Sequence, residues 1–251
     1  MTTDQARYQY LLRFADTSLV MAQRLAEWCS RGPILEEDLA LTNISLDYFG
    51  QAEAFYNTAI PFGGKQETAD DLAFRRSERE YFNFLIAEAD NGDYARTMMK
   101  IYLLSVYLEK IYTALSTSSQ PELNMLGVKS LKEIMYHKRH SSAWLFRLAH
   151  GTAESASRVQ QALQDVWSYT DDLFSTDVCD ELLSGELNYE ITAMKHVWLA
   201  EVEEFMKQCG FVLPQTTYQI QGGIKQMHTE ALGHVLCEMQ YLQRAYPNAK
   251  W

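Results

Sequence analysis

Proline and glycine are scarce, 5 and 12 among 251 residues, too few to punctuate the many short strands and tight turns of a β-sandwich or barrel. The four cysteines, Cys29, Cys179, Cys209 and Cys237, stand far apart and form no C-x-x-C pair. That spacing excludes a disulfide framework and a zinc site, and fits thiols used as small packing residues in a reduced compartment. No apolar run reaches the ~18 residues of a membrane span. Met1 to Arg7 carry no apolar signal-peptide core, so the expectation is a soluble cytoplasmic chain. Basic residues are outnumbered 22 to 33, and the net charge of −11 sets up a field that repels nucleic acid and anionic membranes. P-loop, G-x-G-x-x-G, G-x-S-x-G and catalytic-cysteine signatures are all missing.

What is present is a hydrophobic content of 47%, enough for one large core, with no Ser/Gly/Pro-rich linker to divide it. The expectation is a single domain over 1–251. Ala, Leu, Glu and Gln dominate the long segments and point to an all-α architecture. From Tyr8 to Cys29, Leu12, Ala15, Leu19, Ala22, Leu25 and Ala26 recur at three- and four-residue steps, as on an amphipathic helix. Residues 36–60 are apolar almost all round, which predicts a central helix, closed by Pro61-Phe62-Gly63-Gly64. Asp70 to Glu88 reads as a shorter, surface-lying helix, and Tyr94 to Leu115 as a second buried one. Glu122 to Ala149 follows, ended by Gly151. Helices are then expected over Ala153–Phe174, beyond a short acidic stretch over Asn188–Cys209, and over His228–Tyr246.

Candidate chemistry is thin. An oxygen-activating di-iron bundle places Glu-x-x-His on each of two helices and a carboxylate on each of two others. Where those motifs would fall, the chain reads Tyr48-Phe49-Gly50-Gln51 and Ile134-Met135-Tyr136-His137, so one ligand of four is kept. Asp16, Glu133 and His137 together supply two carboxylates and an imidazole, about half of what a pair of irons needs. The Tyr94–Leu115 helix offers only Ser105 at mid-height. Asn43, Asp47 and Gln51 stand four apart and form a polar stripe, either a metal or substrate site or an internal hydrogen-bond network. Glu230, His234 and Glu238, with His228 just before, have the spacing of a divalent-ion face and equally of a solvated charged stripe. Arg75, Arg76 and Arg79 with Glu78 and Glu80 are expected on one amphipathic helix, binding either the phosphates of a nucleotide-like tail, the carboxylates of a partner, or one another's neighbours in a surface lattice.

The segments Leu25-Ala26-Glu27-Trp28, Leu39 to Asp47 followed by Gly50-Gln51-Ala52, Lys132-Glu133 with Tyr136-His137, His228-Thr229-Glu230, Leu232-Gly233, Glu238 to Arg244 and the terminal Trp251 carry a resemblance. From end to end the chain resembles the PaaC-type structural subunits of bacterial phenylacetyl-CoA epoxidases. The resemblance implies a ferritin-like bundle with a four-helix core and additional C-terminal helices. It implies pairing with a homologous catalytic subunit that holds the di-iron centre, in a complex with further small subunits and a reductase. That complex uses molecular oxygen and electrons from NADPH to epoxidise the ring of phenylacetyl-CoA. It implies a non-catalytic role here, with no catalytic, cofactor-binding or metal-binding residue, and a vestigial pocket at Asp16, Asp47, Tyr48, Gln51, Ser105, Glu133, Ile134 and His137. Two alternatives stand beside it: an iron-dependent oxygenase using the reduced set Asp16, Asp47, Glu133 and His137, and a storage or adaptor protein that assembles with itself. The aromatic-rich first two helices and Arg75 to Arg79 are the expected partner surfaces.

Overall fold

The computed structural model describes every residue except Lys65, Thr217, Asn248, Lys250 and Trp251. Trp251, which contributes to the resemblance, therefore lies outside the described residues. Among those described there are nine α-helices and no strand. Contacts group the chain into two compact units: Met1–Asp90, Asp177–Leu183 and Gly222–Trp251 in the first, Asn91–Thr176 and Ser184–Gln221 in the second.

The first unit is built on α1 (Thr3–Ala26) and α2 (Leu35–Ala59), packed side by side. A capping box starts α1, in which Thr2 Oγ1 accepts from Gln5 N at 3.2 Å and the Gln5 side chain accepts from Thr2 N at 2.9 Å. From Tyr10 to Ala22 every residue of α1 is buried, including Arg13, Asp16, Thr17 and Ser18. The expected order of centrality is thus reversed, because α2 buries one face only. Leu41, Ile44, Tyr48, Ala52, Phe55 and Ala59 point inward, while Ile34, Leu35, Leu39 and Leu46 are exposed. A helix apolar all round signals burial without saying what does the burying. α3 (Ala69–Phe74) and α9 (Glu230–Ala245) complete this unit.

Residues 75–90 overturn the expected helix over Asp70 to Glu88. After six residues of α3 the chain leaves the helix and runs as an irregular strap with two 3-10 turns, Glu78–Glu80 and Leu85–Ala87. Nor does it lie on the surface: Tyr81, Asn83, Phe84, Leu85, Ile86, Ala87 and Glu88 are buried. Buried irregular backbone must find hydrogen-bond partners outside any helix. Here side chains of α1 and α9 provide them. Phe84 N donates to Thr17 Oγ1 at 3.0 Å, Arg24 donates to Glu88 O, and Gln240 Nε2 donates to both Ala73 O and Arg76 O.

The second unit surrounds α4 (Tyr94–Leu115), buried along most of its length, with α5 (Pro121–Ala149), α6 (Ala153–Trp167) and α8 (Ile191–Gln208). Pro121 opens α5 at a position where a missing N–H is harmless. Asn124 Nδ2 donates to Ser116 O at 2.5 Å and caps the end of α4. Gly127 lets that end approach closely, since a Cβ there would clash with the backbone of Leu115 and Ser116. On the far side, Trp198 of α8 packs against Trp167 and Phe174 and donates its indole N–H to Leu103 O at 3.1 Å. Lys138 Nζ joins Glu109 and Glu201, each at 2.5 Å, and Lys110 joins the same two carboxylates, tying α4, α5 and α8. Burial opposes the charge of Lys138, but bonds to the two glutamates outweigh it and hold its pKa above the usual lysine value.

The short acidic stretch, to which the sequence assigns no element, is a helix, α7 (Val178–Leu187), whose first residues belong to the first unit. Buried Arg13 of α1 fixes its start, donating through Nη1 to both oxygens of Asp180 at 3.0 and 2.9 Å and through Nη2 to Asp177 at 2.5 Å. Arg13 lies more than 160 residues before these two carboxylates, so sequence spacing gives no sign of the pairing.

Gly127→Ala is expected to destabilise the chain by about 1–3 kcal/mol through overpacking against the end of α4. Urea unfolding followed by circular dichroism checks this, and an unchanged midpoint contradicts the close approach.

Candidate functional site

The eight residues of the expected vestigial pocket divide between the units: Asp16, Asp47, Tyr48 and Gln51 in the first, Ser105, Glu133, Ile134 and His137 in the second. Tyr48 and Gln51 are fully buried on α2, with Asp47 half-buried beside them. Asn43, the other end of the expected polar stripe, is exposed and belongs to solvent. In the second unit Ser105, Ile134 and His137 are fully buried and Glu133 is half-buried. The hydroxyls of Ser105 and of Ser130 on α5 are enclosed without a hydrogen-bond partner among the described residues.

Asp16 has a role that spacing alone did not suggest. Its carboxylate is fully buried and accepts four donors: Tyr56 OH at 2.5 Å, Phe82 N at 2.9 Å, Arg76 Nη1 at 3.1 Å and Arg76 Nη2. Arg76 is correspondingly saturated. Its remaining donors reach Leu72 O at 2.6 Å, Glu80 O at 2.7 Å and Tyr56 OH at 3.1 Å, and its guanidinium lies 4.3 Å from the centre of the Tyr81 ring. Burial works against the charge of Arg76, and the neighbouring Asp16 carboxylate more than restores it, so the guanidinium stays protonated. Burial followed by the Asp16 charge pushes the Tyr56 phenol well above its ordinary value, which keeps it a donor. The expected Arg75–Arg79 helix is therefore three separate situations. Arg76 is a buried counter-ion, Arg75 is exposed and paired with Asp71 at 3.1 Å, and Arg79 is exposed on the 3-10 turn.

A di-iron group requires carboxylates and imidazoles with free lone pairs converging on one volume. The donor set does not fit it. Asp16 already carries a permanent cation, Tyr48, Gln51, Ile134 and Ser105 stand where the resemblance leads us to expect other ligands, and no group of three or more His, Cys, Asp or Glu among the described residues is placed to hold a metal ion. Among the described residues, no helix is long and apolar enough to cross a membrane.

A second buried ion pair went unread in the sequence. Glu88, fully buried on the strap, receives His228 Nδ1 at 2.6 Å, Asn83 Nδ2 at 2.8 Å, Thr229 N at 2.8 Å and Thr229 Oγ1 at 2.6 Å. The other ring nitrogen of His228 faces Tyr81 O at 2.8 Å. With an acceptor at each nitrogen, both carry protons and the ring is an imidazolium. Burial lowers its pKa, the bond to Glu88 raises it, and the net is a raised value. His228 is thus separate from Glu230 and His234, which are exposed and 3.7 Å apart, with Glu238 exposed further along the helix, as a solvated stripe would have them.

The described residues form an all-α assembly of the ferritin-like helical-bundle class. The chain belongs to the phenylacetic acid catabolic protein family, whose model matches residues 1–251. It is 41% identical to the C subunit of the 1,2-phenylacetyl-CoA epoxidase of Escherichia coli (strain K12), over 96% of this chain and 98% of that protein.

Two outcomes are expected. Arg76→Met should cost about 3–5 kcal/mol by stranding a buried carboxylate, and Asp16→Asn/Arg76→Met should recover part of that loss; additive losses in urea unfolding contradict the pairing. The raised pKa of His228 means its contribution is complete below the unfolded-state value of about 6.5 and fades as pH rises through the folded-state value. Unfolding free energy should therefore fall over that window, and His228→Gln should remove this part of the slope. An identical slope in the variant contradicts the assignment.

Proposed function

We propose that this chain is a non-catalytic subunit of a phenylacetyl-CoA epoxidase. It supports the iron-bearing homologous subunit that performs the chemistry, alongside further small subunits and a reductase, in the cytoplasm. The carrying observation is the Arg76 guanidinium on Asp16, an occupied position where an oxygenase would present a ligand. The extent of the match to the Escherichia coli epoxidase subunit supports the assembly. On this reading the chain itself binds no iron and supplies no group to the reaction.

Its work is to present surfaces. α2 turns Leu35, 72% exposed, together with Leu39 and Leu46 toward solvent. α5 exposes Met125, 69% exposed, with Val128, Met135 and Phe146 at three-, seven- and eleven-residue steps, interleaved with Lys132 and Arg139. Contiguous apolar strips rimmed by charge on long helices suit a protein partner. These strips replace α1 among the expected partner surfaces, because α1 is enclosed.

Reconstitution tests the proposal. Purified chain added to the iron-bearing subunit and reductase should form a stable complex that couples NADPH oxidation to phenylacetyl-CoA. His137→Ala should lower the melting temperature of the chain and leave the turnover of the assembled complex within about twofold. Tyr48→Glu/Ile134→Glu should destabilise the chain by several kcal/mol and create no oxygenase activity. A collapse of turnover in the His137 variant with assembly intact would make this chain a participant in the chemistry.

A further inference from the structure

We propose that the groove between the Glu78–Glu80 turn and α9 binds a nucleoside phosphate. The groove encloses ≈ 660 Å³, within the size range of small-molecule sites, and is lined by Ser77, Glu78 and Arg79 on one side and by Leu236, Gln240, Tyr241 and Arg244 among others on α9. It lies wholly in the first unit and is independent of the epoxidase reading.

Two guanidiniums reach it from different elements. Arg79 is exposed and makes no hydrogen bond or ion pair among the described residues; Arg244 commits only Nη2, to Arg76 O at 3.0 Å. The rest of its planar donor fork is open to an anion. Glu78 is the one carboxylate on the wall among the described residues. Two cations against one anion leave a single positive charge, which suits one phosphate group better than a run of acidic side chains. Gly233 keeps the wall bare opposite Glu78, since a Cβ there would sit 2.6 Å from Glu78 Oε1.

The third element is an acceptor. Gln240, which lines the groove, is 2% exposed and spends its amide nitrogen on Ala73 O, Arg76 O and Tyr81 OH, so the part of the amide left for a ligand is its carbonyl oxygen, an acceptor. Tyr241, 64% exposed, adds a ring face and Leu236 an apolar floor. An anion alone uses only the arginines. A ligand that also brings a flat ring and an N–H donor uses every part, and a nucleoside phosphate with an amino-substituted base is that ligand.

Calorimetric titration of the full chain with adenosine 5′-monophosphate at low salt tests this, beside inorganic phosphate, adenosine and an Asp/Glu-rich peptide. The expected result is saturable one-to-one binding of the nucleotide, tighter than inorganic phosphate or adenosine, weakened at least tenfold by Arg79→Glu and several-fold by Tyr241→Ala. Arg79→Glu should leave the melting temperature unchanged because Arg79 holds nothing in the fold. No saturation up to about 1 mM, the upper end of ordinary metabolite affinities, overturns the proposal. So does inorganic phosphate binding as tightly as the nucleotide, preference for the acidic peptide, or nucleotide affinity indifferent to Arg79→Glu.

Discussion

The first unit depends on one buried ion pair. Asp16 sits at the middle of a helix enclosed on all sides, where an unpaired carboxylate would be costly. Arg76 neutralises it and at the same time anchors the strap, because its other donors hold Leu72 O and Glu80 O. The same carboxylate accepts Phe82 N from that strap. One interaction therefore satisfies a charge, organises a loop and ties in α2 through Tyr56. Such a pair adds little net stability over an apolar replacement, but losing either partner alone is severe. Its contribution is to dictate one arrangement of residues 72–84 against α1.

Glu88 and His228 repeat the device at the other end of the strap. Again a fully buried carboxylate on one segment collects donors from a remote one, here the residues that lead into α9. Gln240 and Arg244 then hold Arg76 O from α9 itself. Together these contacts explain how residues 75–90, irregular along most of their length, remain enclosed. Side chains fixed on helices supply the hydrogen-bond partners that a helical backbone would otherwise find within itself.

Where local pattern decides structure, the chain was readable. The Tyr94–Leu115 helix agrees at both ends, α1, α2 and α5 agree to within a few residues, and the all-α class followed from composition alone. The strap was misread because Phe74, Tyr81, Phe82 and Phe84, spaced among charges, mimic an amphipathic helix. What settles their conformation is Asp16, Thr17, His228 and Gln240, each far away in sequence. The central placing of α2 rests on residues such as Leu39 and Leu46, which look like core residues in sequence but are exposed, because periodicity does not say which apolar side chains the chain itself covers. For the expected pocket, spacing alone makes the departures at Tyr48, Gln51 and Ile134 from a Glu-x-x-His pattern readable, whereas the guanidinium on Asp16 is visible only in the fold.

The guanidinium on Asp16 should leave the chain unable to hold a pair of irons. Anaerobic loading of the purified chain with ferrous iron, followed by gel filtration and iron analysis, is the direct measurement. The predicted result is iron at background, well below one atom per chain, both for the native protein and for Ser105→Glu, which adds one carboxylate. Two tightly held irons per native chain, with the Mössbauer signature of a coupled pair, would contradict it.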